Sequence, residues 1–208
     1  MTHVFLNYRS ADEPFGVAML DHELSARFGP EAVFFASKSI QLGAAWEQEM
    51  LDAVERSTAL LVIMGRHWLS AVDGTGRRRI DDPQDYVRRE ILLALGLGKD
   101  VIPVRLGVPR PAVDDLPPEL RVLATRQDIE LRFRTAGPDL DRLETKLRRL
   151  IPALADLTPP APANEPTRTA TYRDHASHYD IRDLTVDTFH AGPSFHGPGW
   201  PLGTGDSQ

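Results

Sequence analysis

The sequence predicts an α/β fold: a parallel sheet with helices on both of its faces. Short runs of β-branched and aromatic residues alternate along the chain with amphipathic segments at helical spacing. Residues 58–65 (TALLVIMG) are continuously apolar, which is typical of a strand buried on both faces of such a sheet. Strands that alternate with helices in this way pair in parallel, and the helices cover the sheet.

Five strands are predicted from the short apolar runs. They are expected at residues 3–9, 32–37, 58–65, 101–106 and 128–133. The third run is the most apolar of the five. We therefore expect it to be the central strand of the sheet.

Four helices are predicted, at residues 14–28, 44–57, 85–97 and 138–154. The first begins at Pro14, which suits a first helical turn, and ends at Gly29. The apolar side chains that recur at helical spacing, and that we expect to face the core, are Phe15, Met19, Leu20, Leu24 and Phe28 in the first helix, Trp46, Met50, Leu51 and Val54 in the second, Val87, Ile91, Leu92 and Leu95 in the third, and Leu140, Leu143, Leu147, Leu150 and Ile151 in the fourth.

The composition divides the 208 residues near residue 157. We expect a folded domain at 1–156, a Pro-rich linker at 157–178 and a largely irregular tail at 179–208. Within the tail, residues 184–190 (LTVDTFH) alternate between apolar and polar. This pattern suits a short interaction motif that adds a strand to a partner, and a flexible tail is the alternative.

Charge and cysteine content exclude several classes of function. The net charge of −6 gives no basic surface for nucleic acid or for an anionic membrane. The absence of cysteine excludes disulfides, thiolate catalysis and cysteine-based zinc sites, and no other metal site is expected. No signal peptide and no apolar run of roughly 20 residues is present, so we expect a cytoplasmic protein.

In a parallel α/β sheet, ligands bind beyond the carboxyl ends of the strands. Two of the segments expected there are short. Tyr8-Arg9-Ser10 ends the first strand, and Arg9 is either a phosphate ligand or a solvated strand end. Residues 37–43 follow the second strand, where Lys38 is a candidate contact for an anion and Ile40 a candidate contact surface.

The third segment is the long loop of roughly 19 residues after the central strand, a length that is usually functional or disordered. The helix after it carries Tyr86 and Glu90 at i and i+4, on one face. An aromatic ring there can stack on a flat ligand while the carboxylate, whose charged form a helix N-terminus favours, meets a developing cation. The alternative is a structural ion pair between Glu90 and Arg88 or Arg89. The arginines at 77–79 are interpreted as a solvated patch or a phosphate contact.

In their order and spacing, four blocks within residues 1–155 resemble the TIR domain family, and the layout is similar to bacterial TIR proteins. The blocks are VFLNYRSADE, VFFASKSIQLGAAWEQEM, ALLVIMGRHWL and DYVRREILLALGLGKDVIPV. The resemblance implies a flavodoxin-like five-stranded parallel sheet. Many members of this family cleave NAD⁺ between nicotinamide and ribose.

The resemblance also implies roles for individual residues. Glu90 matches the catalytic glutamate, and Tyr86 stands where the family usually has tryptophan. The substrate-binding residues that the resemblance implies are Tyr8, Arg9, Ser10, Ser37, Lys38, Ser39 and Tyr86. Ala36 and Ser10 depart from the family pattern, which often has aspartate at the first position and a second arginine at the other.

The implied activity is that of an NAD⁺ hydrolase that releases nicotinamide and ADP-ribose, or a cyclic variant, in immune or anti-phage signalling. NAD⁺ is then a substrate, and no cofactor is expected. The family further implies partners of its own kind, in a homo-oligomer or filament that activates the enzyme through the loop at 37–43. Two alternatives are a non-catalytic adaptor that works by TIR–TIR contacts and a sensor that binds NAD⁺ without cleaving it.

Overall fold

The structure is a computed structural model that describes residues 2–40, 45–155 and 157. The predicted strand motif at 184–190 lies outside the described residues, as do the rest of the predicted tail and the predicted linker except for residue 157. The boundaries predicted at 156 and 178 stay predictions.

A five-stranded, wholly parallel sheet forms the centre of the domain, with strand order β2-β1-β3-β4-β5. The strands are β1 (Val4–Asn7), β2 (Val33–Phe34), β3 (Ala59–Met64), β4 (Asp100–Leu106) and β5 (Ile129–Leu131). All six residues of β3 are buried, because this strand lies in the middle of the sheet and has helices against both faces. The predicted fold class and the central position of the third strand are confirmed.

Helices cover both faces of the sheet. They are α1 (Pro14–Phe28), α2 (Ala36–Ser39), α3 (Trp46–Arg56), α4 (Tyr86–Gly96), α5 (Val122–Thr125), α6 (Ala136–Leu150) and α7 (Pro152–Ala155). One apolar cluster joins α1, α6 and α7 to the sheet, and a second joins α3, α4 and α5 to the opposite face. Within the described part of the chain, none of the helices is both long and apolar enough to cross a membrane.

The prediction of which residues form the buried face of α1 was wrong in part. Phe15 is 88% exposed and Met19 is 38% exposed, whereas Val17 is buried together with the other core residues of the helix. At about 100° per residue, position 17 lies on the same side as positions 20, 24 and 28, while position 15 lies on the opposite side. The buried stripe is therefore Val17, Leu20, Leu24 and Phe28.

Several predicted elements are shorter than expected, among them the last helix and the second strand. The helix predicted at 138–154 divides at Ile151, because Pro152 disfavours a helical conformation in the residue before it. Leu150, which we expected to face the core, is 43% exposed at the end of α6. The strand predicted at 32–37 ends at Phe34, and the chain turns at once into α2.

A carboxylate from the loop after β1 positions the loop that follows β3. Asp12 accepts the backbone N–H groups of Gly65, at 2.8 Å, and of His67, at 2.6 Å. A Cβ atom at position 65 would lie 2.7 Å from the Asp12 Oδ2 atom and 2.1 Å from the Glu13 Cγ atom. Only glycine fits this approach of backbone to side chain, so Gly65 keeps the two loops together beside the site described next.

Candidate functional site

A cavity of about 310 Å³ opens at the carboxyl end of β1. Its walls come from β1 and the loop after it, from the segment between β2 and α3, and from α4 with the loop before it. The cavity brings together five residues that the sequence singled out: Tyr8, Arg9, Ser10, Tyr86 and Glu90. Trp46, which was expected in the core, and Arg79, one of the three consecutive arginines, also line it.

Glu90 lies on the buried side of α4 and is only 4% exposed, yet it lines this cavity. The Asn7 amide, at the end of β1, donates to the Glu90 Oε2 atom at 2.8 Å and to the backbone carbonyl of Val87 at 3.0 Å. The second bond fixes the amide against the first turn of α4. Asn7 therefore orients the Glu90 carboxyl group without neutralising it.

The alternative role of Glu90 in a structural ion pair is not what the structure shows. Arg88 binds Glu119 at 3.2 Å together with two backbone carbonyls, and Arg89 binds Glu47 at 2.7 Å. Within the described residues, no arginine or lysine lies within salt-bridge distance of Glu90. The carboxyl group is buried and has a neutral amide as its partner.

Burial raises the pKa of Glu90 from 4.5 to about 8. The hydrogen bond from Asn7 and the charge of Arg89 lower this pKa, while the charge of Asp85 raises it further, and burial outweighs them all. The charged form that we expected from the position at a helix start is thus disfavoured in the free protein. At pH 7 roughly nine in ten molecules carry the neutral acid.

Arg9 is buried rather than solvated. It is 4% exposed, and two of its nitrogens bind the Asp85 carboxylate, Nη1 at 2.8 Å and Nη2 at 3.0 Å. Its Nε atom donates to the backbone carbonyl of Trp68 at 3.1 Å. Asp85 also caps α4 by accepting the backbone N–H of Arg88. Arg9 therefore ties the end of β1 to the start of the helix that carries Glu90.

An aromatic pair stands at the cavity. The rings of Trp46 and Tyr86 have centroids 4.6 Å apart and meet edge to face. The Arg89 guanidinium lies over the Tyr86 ring at 5.3 Å, and the Tyr86 hydroxyl donates to Glu47 at 3.3 Å. The expectation that Trp46 belongs to the core was wrong, because it is 47% exposed. Only the later turns of α3 are buried on the sheet, so the first turn is left at the cavity.

The three residues predicted in the loop after the second strand do not line the cavity. The Ser37 hydroxyl lies 3.1 Å from that of Tyr8. Lys38 forms an ion pair with Asp21 of α1 at 2.6 Å, and the Ser39 hydroxyl accepts the backbone N–H of Phe35 at 3.3 Å. Ile40 is half-buried and lines the cavity, and residues 41–44 lie outside the described ranges.

A second cavity, of about 450 Å³, adjoins the first and shares the walls formed by Arg79 and Tyr86. It is otherwise lined by the loop between β3 and α4, including Asp73, Asp82 and Asp85. The composition of this loop was the only signal for Arg79, because three consecutive arginines precede the helix. Nothing in the sequence distinguished Arg79 from its two neighbours.

The five-stranded, wholly parallel sheet is the fold that the family resemblance implied. The model of the TIR domain family matches residues 4–151. The chain belongs to the TIR domain family. The bacterial type inferred from the layout stays a prediction. A search of curated proteins gives no match for this TIR domain.

Solved structures are similar to this TIR domain at low sequence identity. The TIR domains of the activated Roq1 resistosome, which directly recognises the pathogen effector XopQ, are 16% identical with a TM-score of 0.53, over 72% of this chain and 99% of that chain. A TIR-STING receptor from C. gigas in complex with 2′,3′-cGAMP is 20% identical with a TM-score of 0.46, over 74% of this chain and 39% of that one. The TIR domain of the Toll-related receptor TRR-2 from Hydra magnipapillata is 18% identical with a TM-score of 0.46, over 71% of this chain and 99% of that one. At 16% identity, the likeness to the TIR domains of the Roq1 resistosome shows a shared fold.

Proposed function

We propose that this TIR domain is an NAD⁺ hydrolase that cleaves the bond between nicotinamide and ribose, with Glu90 as the catalytic residue. The observation that carries the proposal is the buried Glu90 carboxyl group, which lines a cavity next to two aromatic rings and has no cationic partner among the described residues. A site of this kind suits a substrate that brings its own positive charge and a flat ring. NAD⁺ has both.

The chemistry needs a negative charge rather than an acid. The nicotinamide ring of NAD⁺ is already cationic, so it leaves as a neutral molecule when its ring nitrogen takes the electron pair of the glycosidic bond. Positive charge then develops on the ribose, where a carboxylate in a poorly hydrated cavity stabilises it. Water adds to the ribose carbon and loses a proton to give ADP-ribose, and capture by the adenine ring gives a cyclic product instead.

The high pKa of Glu90 is compatible with this role. In the free protein the group is mainly neutral at pH 7, because the charge of Arg89 is too weak to offset the cost of burying a carboxylate. A bound nicotinamide cation supplies that opposite charge and favours the carboxylate. Binding of the cationic substrate thus favours the carboxylate form of Glu90, which is the form that stabilises the positive charge on the ribose.

The aromatic pair provides a surface for the leaving group. Tyr86 lies one helical turn before Glu90 on α4, and Trp46 packs edge to face against it at 4.6 Å. A nicotinamide ring stacked on an open face of one of these two rings lies in the same cavity as the Glu90 carboxyl group. Trp46 thereby adds aromatic surface next to Tyr86, which stands where the family usually has the larger tryptophan.

Nicotinamide release by the full chain tests the proposal directly. We expect wild-type protein to release nicotinamide from NAD⁺ and Glu90→Ala to lose at least about 100-fold in kcat, the typical cost of removing an electrostatic stabiliser of a transition state. Glu49→Ala is the matched control, because Glu49 is a half-exposed glutamate of α3 that does not line the cavity. Undiminished cleavage by Glu90→Ala would refute the assignment.

Assembly is part of the proposal. We propose that the domain acts in immune or anti-phage signalling in the cytoplasm, and that head-to-tail contacts through the segment at 37–43 activate it. Such activation makes nicotinamide release per molecule increase with protein concentration. Release per molecule that is constant across a wide concentration range would contradict it.

The adaptor alternative has one observation in its favour. Phe15, 88% exposed, and Met19, one turn later on α1, form an apolar surface that suits contacts with another protein. An adaptor of this kind forms TIR–TIR complexes and releases no nicotinamide at any concentration. A sensor binds NAD⁺ but does not consume it, so binding and turnover measured together separate the three functions.

A further inference from the structure

The arginines near the cavity differ in how many of their hydrogen bonds are already made. Arg9 is buried and uses Nε, Nη1 and Nη2 for the Trp68 carbonyl and the Asp85 carboxylate. Arg88 and Arg89 are held by Glu119 and Glu47, and neither lines the cavity. These three guanidinium groups are committed to partners within the chain.

Arg79 is different. Its side chain is 47% exposed, and its one ion pair within the described residues joins Nε to the Asp85 Oδ2 atom at 3.3 Å. The Asp85 carboxylate is already paired with both terminal nitrogens of Arg9. Two arginines thus share one carboxylate, and the excess positive charge lies on the exposed member of the pair.

The position of Arg79 adds a geometrical argument. It lies in the wall common to the cavity that contains Glu90 and the adjoining cavity of about 450 Å³. A ligand with one end at Glu90 that extends into the second cavity would run along the wall that Arg79 and Tyr86 form. A planar guanidinium with free terminal N–H groups binds phosphate oxygens in pairs.

We infer that Arg79 forms a phosphate-binding site between the two cavities and selects a substrate that carries a diphosphate next to its ribose. The inference rests on the proposed function for the location of the reacting ribose. Arg9 is buried and has few N–H groups left for a phosphate. The inference therefore assigns the phosphate contact to Arg79, in the loop before α4. It also predicts that nucleosides without a phosphate bind without help from Arg79.

Binding of ADP-ribose to the full chain tests the inference without any need for turnover. Isothermal titration is carried out with wild type, Arg79→Ala, Arg79→Lys and the control Arg66→Ala, since Arg66 is an exposed arginine of the same loop that lines neither cavity. We expect Arg79→Ala to weaken ADP-ribose binding about 10- to 100-fold, as for a lost charge-assisted hydrogen bond. Arg79→Lys should restore part of the loss, and Arg66→Ala should bind like wild type.

Nicotinamide riboside, which lacks phosphate, separates a phosphate contact from a general disturbance of the site. Its binding should be equal in wild type and Arg79→Ala. Equal loss for both ligands, unchanged ADP-ribose binding by Arg79→Ala, or no ADP-ribose binding by wild type would each overturn the inference. A protein that binds ADP-ribose through Arg79 but releases no nicotinamide would refute only the proposed hydrolase.

Discussion

The buried Glu90 carboxyl group makes the stability of this domain depend on pH in a way that one substitution reveals. In the unfolded chain the group has its ordinary pKa of 4.5, and in the folded domain burial raises the pKa to about 8. Folding therefore favours the protonated form, and ionisation opposes folding. The contribution of Glu90 to the unfolding free energy is therefore largest below pH 4.5 and declines as the pH rises from 4.5 to 8.

The size of the effect follows from the two pKa values. At about 1.4 kcal/mol for each pH unit, the interval from 4.5 to about 8 corresponds to at most about 5 kcal/mol of unfolding free energy. About 4 kcal/mol of this falls between pH 5 and pH 8.5. Glu90→Gln removes the ionisation while it keeps an oxygen that accepts the Asn7 amide proton, so its stability lacks this pH dependence.

Thermal unfolding of wild type and Glu90→Gln at pH 5 and at pH 8.5 measures the effect. Any change in packing is present at both pH values and cancels in the difference between them. For a domain of this size, 4 kcal/mol corresponds to a change in Tm of about 8–16 °C. The difference in Tm between Glu90→Gln and wild type should therefore shift in favour of Glu90→Gln by up to that amount from pH 5 to pH 8.5. Glu31→Gln, at an exposed position near the amino end of β2, is the control and should show little change.

An equal difference in Tm between Glu90→Gln and wild type at the two pH values would refute the reasoning. It would mean that the carboxyl group is hydrated in the folded protein and ionises as it does in the unfolded chain. The proposed mechanism would then lose its poorly hydrated carboxylate.

Three further predictions concern activity and packing. The kcat/KM for NAD⁺ cleavage should rise about tenfold from pH 6 to pH 7 and level off above the Glu90 pKa of about 8, since the carboxylate is the active form, and a flat or falling profile would contradict this. Trp46→Ala should raise the KM for NAD⁺ about 2- to 10-fold and Trp46→Phe much less, as measured by nicotinamide release, because an aromatic contact contributes about 0.5–1.5 kcal/mol. Gly65→Ala should lower the urea-unfolding free energy by about 1–3 kcal/mol, because the added Cβ atom meets the side chains of Asp12 and Glu13, which follow β1. Gly74→Ala, with no neighbour within 4 Å, is the control, and an equal loss in both variants would rule out the steric explanation.

Much of the fold could be predicted because it depends on local patterns. A continuously apolar run predicted β3 and its central position, and helical spacing predicted the four main helices. The errors came where the pattern was ambiguous or tertiary packing chose one face. Phe15 and Met19 were grouped with the core of α1, and Trp46 was assigned to the core of α3 although the first turn of that helix extends past the sheet.

The candidate site was predictable in part for the same reason. Because parallel strands place their carboxyl ends at one edge, residues after β1 and the start of α4 had to meet, and the cavity does contain Tyr8, Arg9, Ser10, Tyr86 and Glu90. The partner of each side chain was not predictable. Asn7, which lies 83 positions from Glu90, is its hydrogen-bond donor, and no spacing in the sequence indicates that contact.

The sequence by itself determined the TIR family resemblance, the order of strands and helices, and the position of Glu90 after the central strand. Tertiary structure alone decided the electrostatics of the site: which arginines are committed to carboxylates, which one remains exposed, and that Glu90 is buried. The physical reason is that periodicity records which side chains are apolar along one element. The pKa of a carboxyl group and the charge of a cavity depend on distances between elements far apart in the chain.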